Sequence, residues 1–299
     1  MFFALTDDQQ EFAAAVRGYL AERFDLAAVR GVVEDGDGDG NPAALWKAAG
    51  EQGWLAVTVP EEFDGLGLGL VEAQVIAREL GAGVAPGPWR GTVLAAEAIR
   101  LGGSVEQKAA WLPRLAAGAA IGALASRSTL AAVEYGAIAD VVVTPDGRLV
   151  TGASSTPRGS YDGTVRLADL TGGTVEELAA PIEAAIQARA ALLVAADLVG
   201  IAREALTRTV AYDRERKQFG VPVGSFQAIK HTLADLHCTV TMAEHAALYA
   251  AHAVDVGADD APLAVAVAKA KAGDAAVAST AAMIQYHGGI GYTWEHEAH

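Results

Sequence analysis

Two stretches of this chain combine side chains suited to phosphates and nucleobases. The first runs Arg214-Glu215-Arg216-Lys217-Gln218-Phe219-Gly220, then Val221-Pro222-Val223-Gly224-Ser225, and leads into an apolar-periodic segment that begins near Phe226. Gly and Pro at these positions force a turn ahead of that segment. A helix starting there, with Ser225 as its N-cap, presents free backbone N–H groups to an anion. Arg216 is placed to give a phosphate a bidentate contact. Phe219 offers an aromatic face to a base, and Gln227 in the first turn offers an amide to a ribose or phosphate. The same residue types also make an ordinary charged interhelical loop with a core phenylalanine, and residue types alone leave both readings open. The second stretch, Gln285-Tyr286-His287-Gly288-Gly289-Ile290-Gly291-Tyr292, ends an Ala-rich segment in three glycines. Such a run permits close backbone approach to another group, and it equally serves as a helix stop.

Composition removes several classes of function. A chain of 299 residues with 52% hydrophobic content can bury a large core and hold two or three structural units. Its formal charge of -15 repels phosphate backbones, and no Lys/Arg cluster offsets that, so nucleic acid is not an expected partner. The single cysteine, Cys238, cannot form an internal disulfide, and MFFALTDDQQ carries acids where a signal peptide carries basic residues. A cytoplasmic location is expected. The longest apolar run, Ala188 to Ala202, is broken by Arg189 and Asp197 and falls short of the roughly 20 residues of a membrane span. No transmembrane helix is expected. His231, His237, His245 and His252 share one helical region without acid or Cys spacing for a metal, and read as polar-face or interface residues.

The elements that must position the two stretches are mainly helical. Phe12, Val16 and Leu20 repeat at four behind Thr6, with Gln9 completing a capping box. Residues 31–42, GVVEDGDGDGNP, have no periodic apolar face and read as a solvated loop. Trp46 to Trp54 suggests a helix, VPEEFDGLGLG a turn, and LVEAQVIARELG another helix that Gly81 and Gly83 stop. Near Gly122 the character changes. Ala139–Val143 and Arg148–Val150 flank Thr144-Pro145-Asp146-Gly147, a hairpin pattern, and Thr164–Leu167 alternates like a further strand. Helical periodicity then returns, with Val194, Leu198, Ile201 and Ala205 on one face and Phe226, Ile229, Leu233, Leu236 and Val240 on the next. An Ala-rich helix covers about 261–285. The expected architecture is mainly α with a small β unit: an N-terminal helical domain over 1–121, a shortened middle β domain over 122–180 and a C-terminal helical bundle over 181–299.

RKQFGVPVGSFQAIKHTLADL, followed some fifty residues later by IQYHGGIGYTWEHEAH, resembles the C-terminal domain of the acyl-CoA dehydrogenase family. LTDDQQEFAAAVRGYL, LWKAAGEQGWLAVTVPEEFDGLGLGLVEAQVIARELG and QKAAWLPRLAAGAAIGALA resemble its N-terminal helical domain, so the likeness covers nearly the whole chain. The resemblance implies a C-terminal four-helix bundle, FAD as cofactor, an acyl-CoA substrate and an electron-transfer flavoprotein or similar acceptor. It implies that Arg216, Gln218 and Phe219, with Gln227 beside them, hold the pyrophosphate and adenine side of FAD belonging to a neighbouring subunit. Gln285, Gly288 and Gly289 match the stretch that approaches the adenosine and phosphates across the same interface.

The chain departs from the family at two places. Where members carry a Thr-Glu-Pro…Gly-Ser-Asp segment against the isoalloxazine, it reads ALASRSTLAAVEYGAIADVVV, and the middle unit is short. Of the family's two positions for the catalytic Glu, one lies past the end of this chain and the other aligns with Ala190. Asp197, two helical turns further on, is the only nearby substitute, and a helix Asp paired with an Arg is the commoner case. Glu295 and Glu297 follow the glycines and read as solvated acids. Kept adenosine motifs without a base resemble one subunit of the actinobacterial α2β2 dehydrogenases of steroid side-chain CoA esters. A sister subunit would then supply the base. A self-sufficient homomeric enzyme and a non-catalytic scaffold that has lost flavin are the alternatives.

Overall fold

The computed structural model describes residues 4–299, so the part of the N-terminal reading that rests on residues 1–3 lies outside the described residues. The chain is mainly helical with a small β part, as its periodicities imply. Thr6 and Gln9 form the reciprocal cap of α1 (Asp7–Arg23): Gln9 N donates to Thr6 Oγ1 at 3.3 Å and Thr6 N to Gln9 Oε1 at 3.0 Å. The buried stripe of α1 is Ala13, Val16 and Leu20, with Phe12 half-buried. Helix α2 (Leu26–Glu34) claims the start of the acidic stretch expected to be loop, because Ala27 to Val33 still carry one apolar face and bury Val29. Arg166 ties the remainder down, donating to the carbonyls of Val32, Asp35 and Gly38 at 2.7–3.0 Å. Four further helices follow: α3 (Ala43–Glu51), α4 (Leu70–Ala82), α5 (Trp89–Gly102) and α6 (Val105–Ala116).

The β part comprises β1 (Gly122–Leu124), β2 (Val133–Glu134), β3 (Val141–Val143), β4 (Arg148–Thr151), β5 (Ser154–Arg158), β6 (Leu167–Thr171) and β7 (Thr174–Glu177). The expected hairpin is β3–β4, paired Val142 to Val150, and Gly147 takes the positive φ of +90° that its turn needs. One sheet has the order β1-β3-β4-β7, with β1 parallel to β3; the other has the order β2-β6-β5 and is antiparallel. The strand expected at Thr164–Leu167 lies three residues later, because Thr164 is held in a turn by Asp162 Oδ1, which accepts from its backbone N at 2.8 Å and its hydroxyl at 2.6 Å. Ala123, Val133, Val142, Val150, Ala168 and Leu170 form one apolar cluster from both sheets.

The C-terminal part runs as three long helices, α7 (Glu183–Glu215), α8 (Gln227–Asp255) and α9 (Ala261–His287), with a two-residue ladder between β8 (Lys217–Gln218) and β9 (Val221–Pro222) joining the first two. The buried stripe of α7 is Leu192, Ala195, Ala196, Val199, Ala202 and Leu206. Val194, Leu198 and Ile201, which the sequence analysis places on the core face, are half-buried neighbours of that stripe. In so apolar a run, several faces satisfy the same period. By length and composition α7 could cross a membrane. Its stripe is packed within the protein, and Arg189 and Arg203 on it are ion-paired to Glu97 and Glu79; it is a core helix.

Contacts divide the chain into two compact units. One collects the chain up to Leu26, Gln74–Val84 and Ala191–His299; the other collects Ala27–Ala73 and Ala85–Ala190. Within the first, α4 meets α7 backbone to backbone. A Cβ on Gly200 would lie 1.9 Å from the Arg78 carbonyl oxygen, and one on Gly81 would lie 2.2 Å from that of Asp197. Gly200→Ala should therefore force the helices apart and destabilise the protein by about 1–3 kcal/mol. A thermal midpoint unchanged by that substitution would contradict the close approach.

Candidate functional site

The first sequence motif folds as a tight hairpin on the end of α7. Phe219 at its tip takes a φ of +52°, uncommon for a non-glycine residue, and is 90% exposed. Its neighbour is Phe226, edge-on at 6.2 Å between ring centroids. An aromatic side chain held out of the core in a left-handed backbone conformation is shaped for a contact outside this chain. Arg216, Gln218 and Gln227 are exposed around it.

Ser225 does not cap α8. The residues Val223–Ser225 close a single 3-10 turn, in which the Ser225 hydroxyl donates to the Pro222 carbonyl at 2.6 Å. Phe226 is the N-cap, and no side chain caps the helix. The first-turn N–H groups of this 29-residue helix therefore lack the side-chain acceptor that usually takes them, and are open to an anion.

The second motif ends α9. Gly288 takes a φ of +64°, and a Cβ at Gly288 or Gly289 would meet nothing within 4 Å, so this backbone is open to an approaching group. Gln285 is exposed beside it. The motifs meet through α7: the Tyr212 ring stacks on His287 at 4.3 Å, and Asp213 packs under Gly224. A guanidinium, an uncapped helix start, an exposed aromatic face and open glycine backbone thus share one end of the helices. Together they suit the adenosine and phosphate end of a dinucleotide.

The carboxylates divide differently. Asp197 lies against α4, its Oδ1 only 2.6 Å from where a Gly81 Cβ would sit, and it is engaged with other groups. Glu297 accepts an ion pair from Arg208 at 2.6 Å. Three buried acids escaped the sequence reading. Glu79 has no exposed side-chain surface and is met by Arg17 at 2.9 Å, Arg78 at 3.0 Å and Arg203 at 2.7 Å. Burial alone would raise its pKa, but the Arg17 and Arg203 hydrogen bonds and the charges of Arg203 and Arg78 hold it below the ordinary carboxylate value. Glu97 is held likewise, by Arg100 at 2.7 Å and Arg189 at 2.8 Å, the latter adjacent to Ala190. A carboxylate kept ionised by two or three arginines is a poor acceptor for a carbon-bound proton. Asp213 is the opposite case: burial raises its pKa, partly offset by His287. It sits at the end of α7 where the two motifs meet. Each of the three could have been noticed as an acid on an apolar-periodic face, Glu97 inside TVLAAEAI most plainly.

The segment in the place of the family's isoalloxazine-contacting stretch leaves β1, exposes Ser126, Arg127, Ser128 and Thr129, and re-enters at β2. It is fixed by Asp169, which accepts from Ala132 N at 2.8 Å, and by Tyr135, whose hydroxyl donates to the Thr164 carbonyl at 2.6 Å.

Comparison with known proteins agrees with this layout. Residues 6–119 match the family profile described as "Acyl-CoA dehydrogenase, N-terminal domain", and residues 184–299 match "Acyl-CoA dehydrogenase, C-terminal domain". Acyl-CoA dehydrogenase IpdE2 of Mycobacterium tuberculosis is 37% identical over 297 residues, 98% of this chain and 89% of that protein. Among solved structures, the Tcur3481-Tcur3483 steroid ACAD superposes with a TM-score of 0.89 at 26% identity, covering 98% of this chain and 90% of that one. The ChsE4-ChsE5 complex from Mycobacterium tuberculosis gives a TM-score of 0.89 at 25% identity, covering 100% of this chain and 91% of that one.

Proposed function

The chain belongs to the acyl-CoA dehydrogenase family, and from that premise we propose that it is one subunit of a heteromeric, FAD-dependent dehydrogenase of steroid side-chain CoA thioesters. In this reading it supplies the adenosine side of the flavin site, and a sister subunit supplies the base. The observation that carries the proposal is the pairing of a kept adenosine end with an alanine, Ala190, at the base position on α7. Arg216, Phe219 and the open Gly288-Gly289 backbone project from the chain, while Ala190 stands at the base position beside an arginine locked to Glu97.

The residues present fit FAD. Arg216 and the uncapped start of α8 would hold the pyrophosphate, Phe219 would offer its face to the adenine, and Gln218, Gln227 and Gln285 would offer amides to the ribose and phosphates. Gly288 and Gly289 let the adenosine approach the backbone. When bound in this family, FAD takes the hydride from the acyl Cβ while a carboxylate takes the α-proton. The part played by this chain is binding and orientation: it fixes the remote end of the cofactor so that the reactive end is held against the sister subunit. An electron-transfer flavoprotein or similar acceptor is the proposed electron partner. The steroid side-chain ester is proposed on likeness to a solved structure named as a steroid ACAD.

Dye-coupled dehydrogenation of a steroid side-chain CoA ester tests the proposal. The chain alone should give no turnover, and the chain copurified with its sister subunit should be active. Turnover by the chain alone at the rate of the pair would overturn the division of labour.

A further inference from the structure

The buried stripe of α7 continues through Ala202, Leu206 and Thr209 and ends on Asp213, whose side chain reverses the chemistry of the positions before it. Asp213 is 1% exposed, and neither carboxylate oxygen has a hydrogen-bond partner among the described residues. An ion left in such surroundings without a partner is strongly disfavoured, so the group keeps its proton to a higher pH than an exposed Asp.

Its surroundings are the roots of both flavin-side arms. The loop that enters α8 lies directly on it: a Cβ at Gly224 would be 3.0 Å from the Asp213 carbonyl oxygen and 3.4 Å from the Asp213 Cβ. Its chain neighbour Tyr212 stacks on His287 at 4.3 Å and donates to the His287 carbonyl at 3.5 Å. His287 is itself held, its Nδ1 lying 2.7 Å from the Met283 carbonyl. One helical turn therefore supports the arm at 216–227 and the arm at 285–289.

We propose that Asp213 is a positioning residue: while its carboxyl is protonated both arms pack closely over this turn, a latch that loosens when the buried, unpartnered carboxyl ionises, so that the subunit releases FAD more readily as pH rises. This rests on the reading of the arms as the adenosine side of the flavin site. The other groups around the carboxyl are Thr209 and Tyr212 on α7 and His287 on α9, with His296 ring-to-ring against His287 at 4.4 Å. The loop Val223–Ser225 brings no ionisable side chain. The direction follows from linkage. The folded site binds a proton that the exposed group would release, so the stability of the site is lost as pH rises towards and through the folded pKa.

The test uses the complex with the sister subunit, as wild type and as Asp213→Asn, which keeps the shape and cannot ionise. Flavin release and amide hydrogen exchange of residues 216–230 are followed from mildly acidic to alkaline pH. In the wild type, flavin release and amide exchange corrected for its intrinsic base-catalysed rate should both rise with pH, by up to about tenfold per unit above the folded pKa, and in Asp213→Asn both should stay flat. Flat exchange in the wild type, or coincident profiles in the two proteins, overturns the latch; the wild-type measurement stands alone if the variant fails to fold. If exchange differs as expected but neither protein carries flavin, the latch stands and the flavin reading falls. If both carry flavin and exchange coincides, the latch falls and the flavin reading stands.

Discussion

Arg216→Ala should strip flavin from the complex and leave the chain folded. Arg216 is exposed on the hairpin, so its side chain contributes little to the stability of the isolated chain, within about 0.5 kcal/mol. Against a pyrophosphate the same guanidinium makes charge-assisted, bidentate contacts. Losing one member of such a pair costs about 2–5 kcal/mol, a weakening of roughly 30- to 5000-fold in Kd. Arg216→Lys keeps the charge without the planar fork and should recover only part of the affinity. Flavin titration of the apo complex, beside the melting curve of the chain alone, separates the two effects. Wild-type flavin affinity in Arg216→Ala would remove Arg216 from the site.

Glu79→Ala should have the largest effect on stability. The carboxylate is fully enclosed and neutralises Arg17, Arg78 and Arg203, with Glu244 sharing Arg78 at 2.6 Å. Removing it takes the acceptor from Arg17 and leaves Arg78 and Arg203 with Glu244 alone, a loss of about 3–5 kcal/mol. In a protein of ordinary stability that is a large share of the total. Because the pKa of Glu79 is held down, its contribution is complete at neutral pH and is lost as pH falls through the depressed folded value. Acid should therefore narrow the difference between wild type and variant. Urea melts at neutral and acidic pH measure this; equal midpoints for wild type and Glu79→Ala at neutral pH would mean that the cluster contributes nothing.

Local signals were the legible part of this chain. The capping box of Thr6 and Gln9, the turn at Thr144–Gly147 and the glycine stop after His287 each depend on a few adjacent residues, and each forms as the residue chemistry dictates. The motif residues Arg216, Gln218, Phe219, Gln227, Gln285, Gly288 and Gly289 stand exposed at one end of the helices, with roots that meet at Tyr212 and Asp213. The identity of the core face of α7 was not legible. With Ala, Val, Leu or Ile at every position from Ala188 to Ala202 except Arg189, Asp197 and Gly200, the pattern fits several faces, and what selects one is the backbone contact of Gly200 with Arg78.

The ion clusters were hidden for a related reason. Glu79 is joined to Arg17 and Arg203 across 62 and 124 residues of chain, separations at which no spacing rule operates. The start of α8 moved from Ser225 to Phe226 because the serine hydroxyl closes a turn on Pro222, a competition between two local hydrogen bonds that residue type does not rank. Strands β5 and β7 are exposed along their whole length and carry no alternation for the eye to find.

The central claim is that this chain holds only the adenosine side of a flavin site completed by a sister subunit. The most direct measurement is the flavin absorbance and subunit ratio of three preparations: this chain alone, the sister subunit alone, and the two copurified. Flavin in the pair at equal subunit ratio, with little in either chain alone, is the predicted result. A stable, flavin-loaded protein made from this chain alone would contradict it.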